Sequence, residues 1–343
     1  MVYNKDMSKI VVSGLKPSGK LHIGNYLGAI KQLVELQKKD YKRFYFIADY
    51  HALTTKYNPS EKRVEIFNMA VDALAAGIDP KKSILFIQSH IPTHNNLAWL
   101  LGTVTSSGQL GRMIEYKEKI KSGQVPNAGL LNYPILMAAD ILIYDADFVP
   151  VGEDQRQHLE LTRDIANAFN NNFGETFQLP KALHNATPRV MSLSDPTKKM
   201  SKSTPNGCLF LSDPPKVVEK KIMSAKTDSQ TSISFDPKKR PGISNLLSIY
   251  SGISGRSIEK LVKEFKGKGY AEFKKSMAKE MNDFLKPLQM KRKKLLADKK
   301  SVMKILEEGA KKAIPIAERK LAEVQKRAGL IPTPNDNRRL SGI

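Results

Sequence analysis

The stretch Lys9-Ile10-Val11-Val12-Ser13-Gly14-Leu15-Lys16-Pro17-Ser18-Gly19-Lys20-Leu21-His22-Ile23-Gly24-Asn25 decides how the rest of the chain is read. Residues 9–14 form a short apolar run that reads as a buried strand. A loop carrying Gly14, Gly19 and Gly24 follows, and a helix is expected over residues 24–37, with Leu27, Ile30 and Val34 on one face. A strand, a glycine loop and a helix start suit a phosphate. Glycines let the backbone approach, and a helix N-terminus offers free N–H groups and the positive end of the dipole. The spacing fits neither the dinucleotide fingerprint nor the Walker pattern, and by itself a plain turn reads equally well.

The pattern repeats downstream. Residues 43–48, 84–88 and 147–151 read as strands, and residues 61–76, 95–104, 109–121 and 133–144 as helices. Alternating strands and helices imply βαβ units. The expected fold is α/β, a Rossmann-like doubly wound parallel sheet that binds ligands at the carboxyl ends of its strands. From Pro214 the pattern becomes helical and lysine-rich, with helices expected over residues 215–225, 245–252, 258–265, 270–297 and 301–329. Pro287 and Pro315 are expected to kink or break the last two. The division expected is a catalytic domain at 1–213, a helical domain at 214–305, a C-terminal helix at 306–330 packing back on the catalytic domain, and a frayed tail at 331–343.

Charge follows this division. The chain has 56 Lys+Arg against 34 Asp+Glu, a net +22. Residues 214–343 hold 31 against 14, or +17, which leaves 25 against 20, or +5, for residues 1–213. A basic C-terminal third points to a nucleic-acid face, against the plainer reading of a solvated lysine-rich surface. Cys208 is the single cysteine, so an internal disulfide and multi-cysteine zinc sites are excluded, and it reads as a small reduced apolar residue. The most apolar run, residues 130–143, is too short for a bilayer and contains Asp140. With no secretory apolar segment near the start, the expected compartment is the cytoplasm, without membrane attachment.

The most specific element is Lys199-Met200-Ser201-Lys202-Ser203, in which two lysines three apart in a serine-containing turn can serve one polyphosphate. A chance match to five specified residues in a chain of this length occurs roughly once in ten thousand, from average composition.

Together with His22-Ile23-Gly24-Asn25, this pentapeptide resembles the two signature motifs of class I aminoacyl-tRNA synthetases. Residues 137–142 (MAADIL), 149–155 (VPVGEDQ), 195–198 (DPTK) and 241–247 (PGISNLL) are similar to the bacterial tryptophanyl branch, and the likeness runs from about Val11 to Gly329. The resemblance implies that Lys16, Pro17, Ser18, Gly24 and Asn25 line an ATP site. It implies that Gly152, Glu153 and Asp154 hold the ribose, that Val190 lies on the adenine, and that Lys199, Met200, Ser201, Lys202 and Ser203 close on the pyrophosphate. Lys16, Lys199, Ser201 and Lys202 are the implied catalytic set. Asp140 is implied to accept the indole N–H of L-tryptophan, with Tyr133, Met137 and Gln155 completing the pocket. Mg²⁺ is implied as a companion of the ATP phosphates, tRNA(Trp) as the acceptor, and a homodimer as the assembly. Two positions depart from the pattern. Lys16 stands where glutamine is expected, and Asn25 replaces the final histidine of the general class I motif.

The residues support the pocket independently. On a helix, Tyr133, Met137 and Asp140 are spaced i, i+4, i+7 and share a face. An aromatic, a thioether and one carboxylate suit a ring with a single donor. On spacing alone, Asp140 reads better as a helix-end carboxylate paired with a lysine; the flanking motifs turn the reading to a ligand. Other readings stay open here: a tyrosyl synthetase of the same fold, a nucleotidyltransferase that uses no tRNA, and a non-catalytic RNA-binding relative. His51 is expected in the core or near the pocket. His90, His94, His158 and His184 lack metal-ligand spacing, and Trp99 is expected in the core.

Overall fold

The computed structural model describes residues 8–123, 125–152, 155–184, 189–230 and 232–331. Glu153, Asp154 and the tail beyond Ile331 lie outside the described residues. Among those described, five strands form one parallel sheet: β1 (Lys9–Leu15), β2 (Tyr41–Ile47), β3 (Ile84–Ile87), β4 (Phe148–Val151) and β5 (Lys181–His184), in the order β3-β2-β1-β4-β5. The chain winds outward from β1 to β3, then returns to β1's other side. The order therefore reverses between β1 and β4, and a ligand crevice opens beyond their carboxyl ends.

The buried stretches of β1, β2 and β3 are apolar because both faces are covered. In β1, Val11 belongs to one core and Val12 to the other; in β2, Tyr45 and Ile47 alternate with Phe44 and Phe46 in the same way. The first face carries α1 (Ile23–Asn25), a π-turn at Tyr26–Ile30 and α2 (Lys31–Leu36) as one continuous rod, together with α3 (Pro59–Ala75). The second face carries α4 (Thr93–Gly102), α5 (Ser107–Arg112), α6 (Ile114–Lys121), α7 (Ala128–Leu142) and α8 (Arg156–Phe173). Helices α9 (Pro215–Met223), α10 (Pro241–Ser254), α11 (Ile258–Glu264), α12 (Tyr270–Ala297) and α13 (Lys299–Arg327) complete the chain. Val218, Ile222, Phe273, Met277 and Met281 of the helical part join the first core, so the two parts share one apolar cluster. An ion pair from Arg292 Nε to Asp72 Oδ1, 2.5 Å, ties α12 to α3.

Several expectations need correction. The single helix expected over residues 109–121 is two, because Met113 is extended (φ −58, ψ 132) and buries its side chain. The N–H of Ile114 is met by Gln157 Oε1 at 2.9 Å instead of a helical carbonyl. Pro287 and Pro315 do not break their helices; α12 and α13 run through them, held by the buried Leu285, Leu288, Ala313 and Ala317 around each proline. Helix α8 and strand β5 were not anticipated. Trp99 is 78% exposed rather than in the core. The inward face of α4 is His94, Leu97 and Leu101, and Trp99, two residues past Leu97, falls about 200° around the helix at 3.6 residues per turn.

Helix α13 returns across the sheet on small residues. A Cβ on Gly309 would lie 1.9 Å from the carbonyl oxygen of Leu85 in β3, whereas a Cβ on Gly111 in α5 would meet nothing within 4 Å. Gly309→Ala should therefore cost about 1–3 kcal/mol by overpacking. Gly111→Ala should be neutral or stabilise by up to about 1 kcal/mol. Urea denaturation of the two variants checks the opposite signs.

Candidate active site

The glycine loop follows β1. Gly14 leaves room for Phe46, whose ring would lie 2.8 Å from an added Cβ, and Gly19 adopts φ +82, the left-handed region that favours glycine. The helix that follows is capped reciprocally. His22 Nδ1 accepts from the backbone N–H of Asn25 at 3.3 Å, and Asn25 Oδ1 accepts from that of His22 at 3.1 Å. Burial, with the positive charges of Lys202 and Lys199, lowers the His22 pKa to about 4, which keeps its ring neutral and able to accept. A Cβ on Gly24 would press on His22 Nδ1 and touch Val190, so the backbone here approaches the second motif closely.

That motif is clipped into the same corner. Met200 N–H bonds the Val190 carbonyl at 3.1 Å and Ser192 N–H that of Lys198 at 2.8 Å, while Ile23 N–H bonds the Leu209 carbonyl at 2.8 Å. Val190 and the Met200 side chain are buried in the first core. Ser201 and Ser203 hydroxyls lie 2.8 Å apart. Lys202 Nζ reaches the glycine loop, donating to Ser18 Oγ at 2.9 Å and to the Ser18 carbonyl. The two motifs, 184 positions apart, thus touch in this structure.

The electrostatics of this corner suit an anion. Burial lowers the Lys16 pKa, opposed by Glu115 and assisted by Lys119 and Lys62; burial likewise lowers that of Lys202, opposed by Glu65, with Lys62 adding repulsion. Desolvated cations crowded around a glycine loop gain most from a polyanion. Lys62 and Lys119 joined this group without being anticipated. They are single lysines on exposed helical stretches, with no local signal. Cys208 is a buried free thiol whose pKa burial raises to about 11, as its bland reading required.

Beside this corner, Asp140 of α7 is 2% exposed. Its Oδ1 accepts from Gln88 Nε2 at 2.7 Å and pairs with His94 Nδ1 at 2.6 Å; its Oδ2 pairs with His51 Nε2 at 2.8 Å. Burial alone would raise its pKa, but the bonds to His51 and His94 hold it below the usual carboxylate range. Tyr133 stands one face-length away, its hydroxyl 2.6 Å from His158 Nε2 and donating to Glu115 Oε2 at 3.1 Å; burial raises its pKa. The His51 ring meets Tyr133 edge-on at 6.2 Å. Met137 lies between Tyr133 and Asp140 on the same face of α7, partly buried against the second core. Gln155 caps the start of α8, its N–H on the Gly152 carbonyl at 3.0 Å. Lys16, His51, Gln88 and Gly152 follow the four adjacent strands β1, β2, β3 and β4, so the site spans the point where the strand order reverses.

The structure answers the lysine alternative for Asp140: its partners are two histidines and a glutamine. His94 and His158, given bland readings, prove to be partners of Asp140 and Tyr133. Their signals were weak because the partners lie 46 and 25 positions away.

Residues 4–286 match the family model for class I tRNA synthetases of the W and Y type. A tryptophan–tRNA ligase of Caldanaerobacter subterraneus is 48% identical over 326 residues, 94% of this chain and 99% of that protein. Among solved structures, the tryptophanyl-tRNA synthetase of Mycoplasma pneumoniae is similar with a TM-score of 0.87 at 37% identity, covering 95% of this chain and 99% of that one. The Campylobacter jejuni enzyme complexed with ADP and tryptophan gives a TM-score of 0.80 at 37% identity, covering 94% and 100%. With both signature motifs docked on the switch point of a parallel sheet, this chain belongs to the class I tRNA synthetases of the tryptophan and tyrosine branch.

Proposed function

We infer that this chain activates L-tryptophan with ATP and transfers it to the 3′ end of tRNA(Trp). The observation that carries the choice of amino acid is the Asp140 carboxylate. An ionised carboxylate offers roughly four acceptor sites, and Gln88, His94 and His51 occupy three. One acceptor on Oδ2 remains, which matches a side chain with one N–H donor and no acceptor. Relatives named tryptophan–tRNA ligase support the same choice over tyrosine.

In the first step the tryptophan carboxylate oxygen attacks the α-phosphorus in line. The O–P bond forms as the bridge to the β-phosphate breaks, and pyrophosphate leaves with the electron pair. The substrate supplies the nucleophile, so the protein positions and neutralises. Lys16, Pro17, Ser18, Gly24 and Asn25 receive ATP, with Gly152, Glu153 and Asp154 at the ribose and Val190 at the adenine. Lys199, Met200, Ser201, Lys202 and Ser203 close on the phosphates, and Lys202 exchanges its Ser18 contacts for phosphate oxygens. Lys16, Lys199, Ser201 and Lys202 act on the transition-state charge. The lysines and serines around this loop suit phosphate oxygens better than a bare divalent cation, so Mg²⁺ fits as a passenger on ATP that offsets phosphate charge. Tyr133, Met137 and Gln155 complete the amino-acid pocket around Asp140. In the second step the terminal ribose hydroxyl, the 2′-OH, attacks the adenylate carbonyl and AMP leaves.

The division at 1–213, 214–305 and 306–330 assigns the anticodon to the basic helices, where Lys291, Lys293 and Lys294 beside the Asp72-paired Arg292 would attract phosphates in a salt-dependent manner. The assembly is a homodimer, and the exposed Trp99 marks its face. Trp99, Ala98, Leu110, Ile135, Leu136 and Tyr133 line a groove of about 540 Å³ that begins at the pocket helix α7. The compartment is the cytoplasm; no helix among the described residues is long and apolar enough to cross a membrane.

Charging of a tRNA(Trp) transcript with radiolabelled tryptophan tests the reading, and failure to charge it under conditions that saturate ATP would overturn it. Lys202→Ala should slow adenylate formation about 10²–10³-fold with little change in tryptophan affinity. Pre-steady-state kinetics check this, and a change confined to tryptophan affinity refutes the role. Asp140→Ala should erase most of the tryptophan-over-phenylalanine preference, of the order of 10⁴-fold for a site built around one hydrogen bond. Trp99→Glu should convert a particle of twice the 38.3 kDa chain mass into a monomer by light scattering.

A further inference from the structure

Behind the pocket, the hydrogen-bond chain at Asp140 continues inward. His94, which pairs with Asp140 through Nδ1, has its Nε2 2.7 Å from the hydroxyl of Tyr144. Both residues are buried, His94 at 0% and Tyr144 at 1% exposure. Tyr144 stacks on Phe44 at 4.4 Å and 15°, and meets Phe86 edge-on at 6.1 Å. The His94 ring is edge-on to Phe46 at 5.9 Å and to Phe86 at 6.2 Å. The relay is thus boxed by aromatic rings from β2 and β3 and has no room to turn.

Proton order in the chain follows from the groups present. An ionised carboxylate donates nothing, so His94 Nδ1 must carry the proton given to Oδ1. Burial pushes the Tyr144 pKa well up, which keeps the phenol protonated. Its single proton has His94 Nε2 in reach, which leaves that nitrogen as acceptor. Tyr144 therefore selects the His94 tautomer, and His94 with Gln88 holds Oδ1 inward. The carboxylate can then present only Oδ2 outward, beside His51.

We propose that Tyr144 and His94 are positioning residues that set the preference for a ring N–H by fixing the plane of the Asp140 carboxylate, and with it the direction in which its second oxygen accepts. The inference rests on the reading that Asp140 accepts the indole N–H. On this path Tyr144 is two hydrogen bonds removed from the Asp140 carboxylate, and it acts through His94.

The test compares tryptophan with the analogue β-(3-benzothienyl)alanine, in which sulfur replaces the ring N–H, by pyrophosphate exchange at saturating ATP. Tyr144→Phe keeps the stacked ring and removes the hydroxyl. It should reduce the tryptophan-to-analogue ratio of kcat/KM about tenfold. The loss should fall on KM for tryptophan, with the analogue little changed. An unchanged ratio, or an equal fall for both substrates, overturns the proposal, because loss of packing alone cannot tell N–H from sulfur. Asp140→Asn is run in parallel. If it keeps the wild-type ratio, the reading of Asp140 falls and takes the relay with it; if it loses the ratio while Tyr144→Phe retains it, the relay alone is refuted. Independently of any variant, ¹⁵N spectra of the full chain at pH 7.5 should show His94 protonated at Nδ1 and bare at Nε2. A doubly protonated ring, or the opposite tautomer, would contradict the proton order.

Discussion

A carboxylate buried to 2% exposure is the constraint around which this protein is built. Removing such an ion from water costs several kcal/mol even after relaxation. Charge-assisted hydrogen bonds return about 1.5–3 kcal/mol each, so three well-placed donors are needed to hold Asp140 ionised. The fold supplies them from separate places. His51 comes from the turn after β2, Gln88 from the turn after β3, and His94 from the first turn of α4. Asp49 joins two of these turns, its Oδ1 accepting from the N–H groups of Tyr50 and Ser89, both at 3.0 Å. The pairing of β2 with β3 and the packing of α4 on α7 therefore have a chemical as well as a structural purpose.

The neighbouring glycine-loop corner poses the opposite problem. There the fold gathers cations that repel one another and are partly desolvated. Lys16 and Lys202 are both lowered by burial, and Lys62 repels each of them. Crowding of this kind is relieved when negative charge accumulates beside it. One corner thus holds an anion satisfied by three donors, and the other gathers partly desolvated cations around a glycine loop.

Much of this was legible in the order of residues. Periodicity located β1 to β4 and most helices to within a few positions, because strands covered on both faces are continuous apolar runs. The i, i+4, i+7 spacing of Tyr133, Met137 and Asp140 foretold a shared face, and the two motifs, read as serving one ligand, meet in one corner. What escaped notice depends on distant contacts. Gln88, His94 and His51 lie 52, 46 and 89 positions from Asp140, and no local pattern marks a residue as one end of such a bond. Strand β5 has four residues and gains its place only by pairing with β4. Trp99 was misplaced because an aromatic on an apolar helix suggests the core, whereas the turn of the helix put it outside.

The shared apolar cluster of sheet and helical part makes the chain one cooperative body around this pocket. The central claim is that the single free acceptor of Asp140 selects tryptophan for adenylate formation. It is tested most directly by tRNA-free ATP–pyrophosphate exchange with tryptophan and tyrosine measured side by side. Exchange driven by tryptophan, with tyrosine at background, is the result this account requires; exchange driven by tyrosine would contradict it.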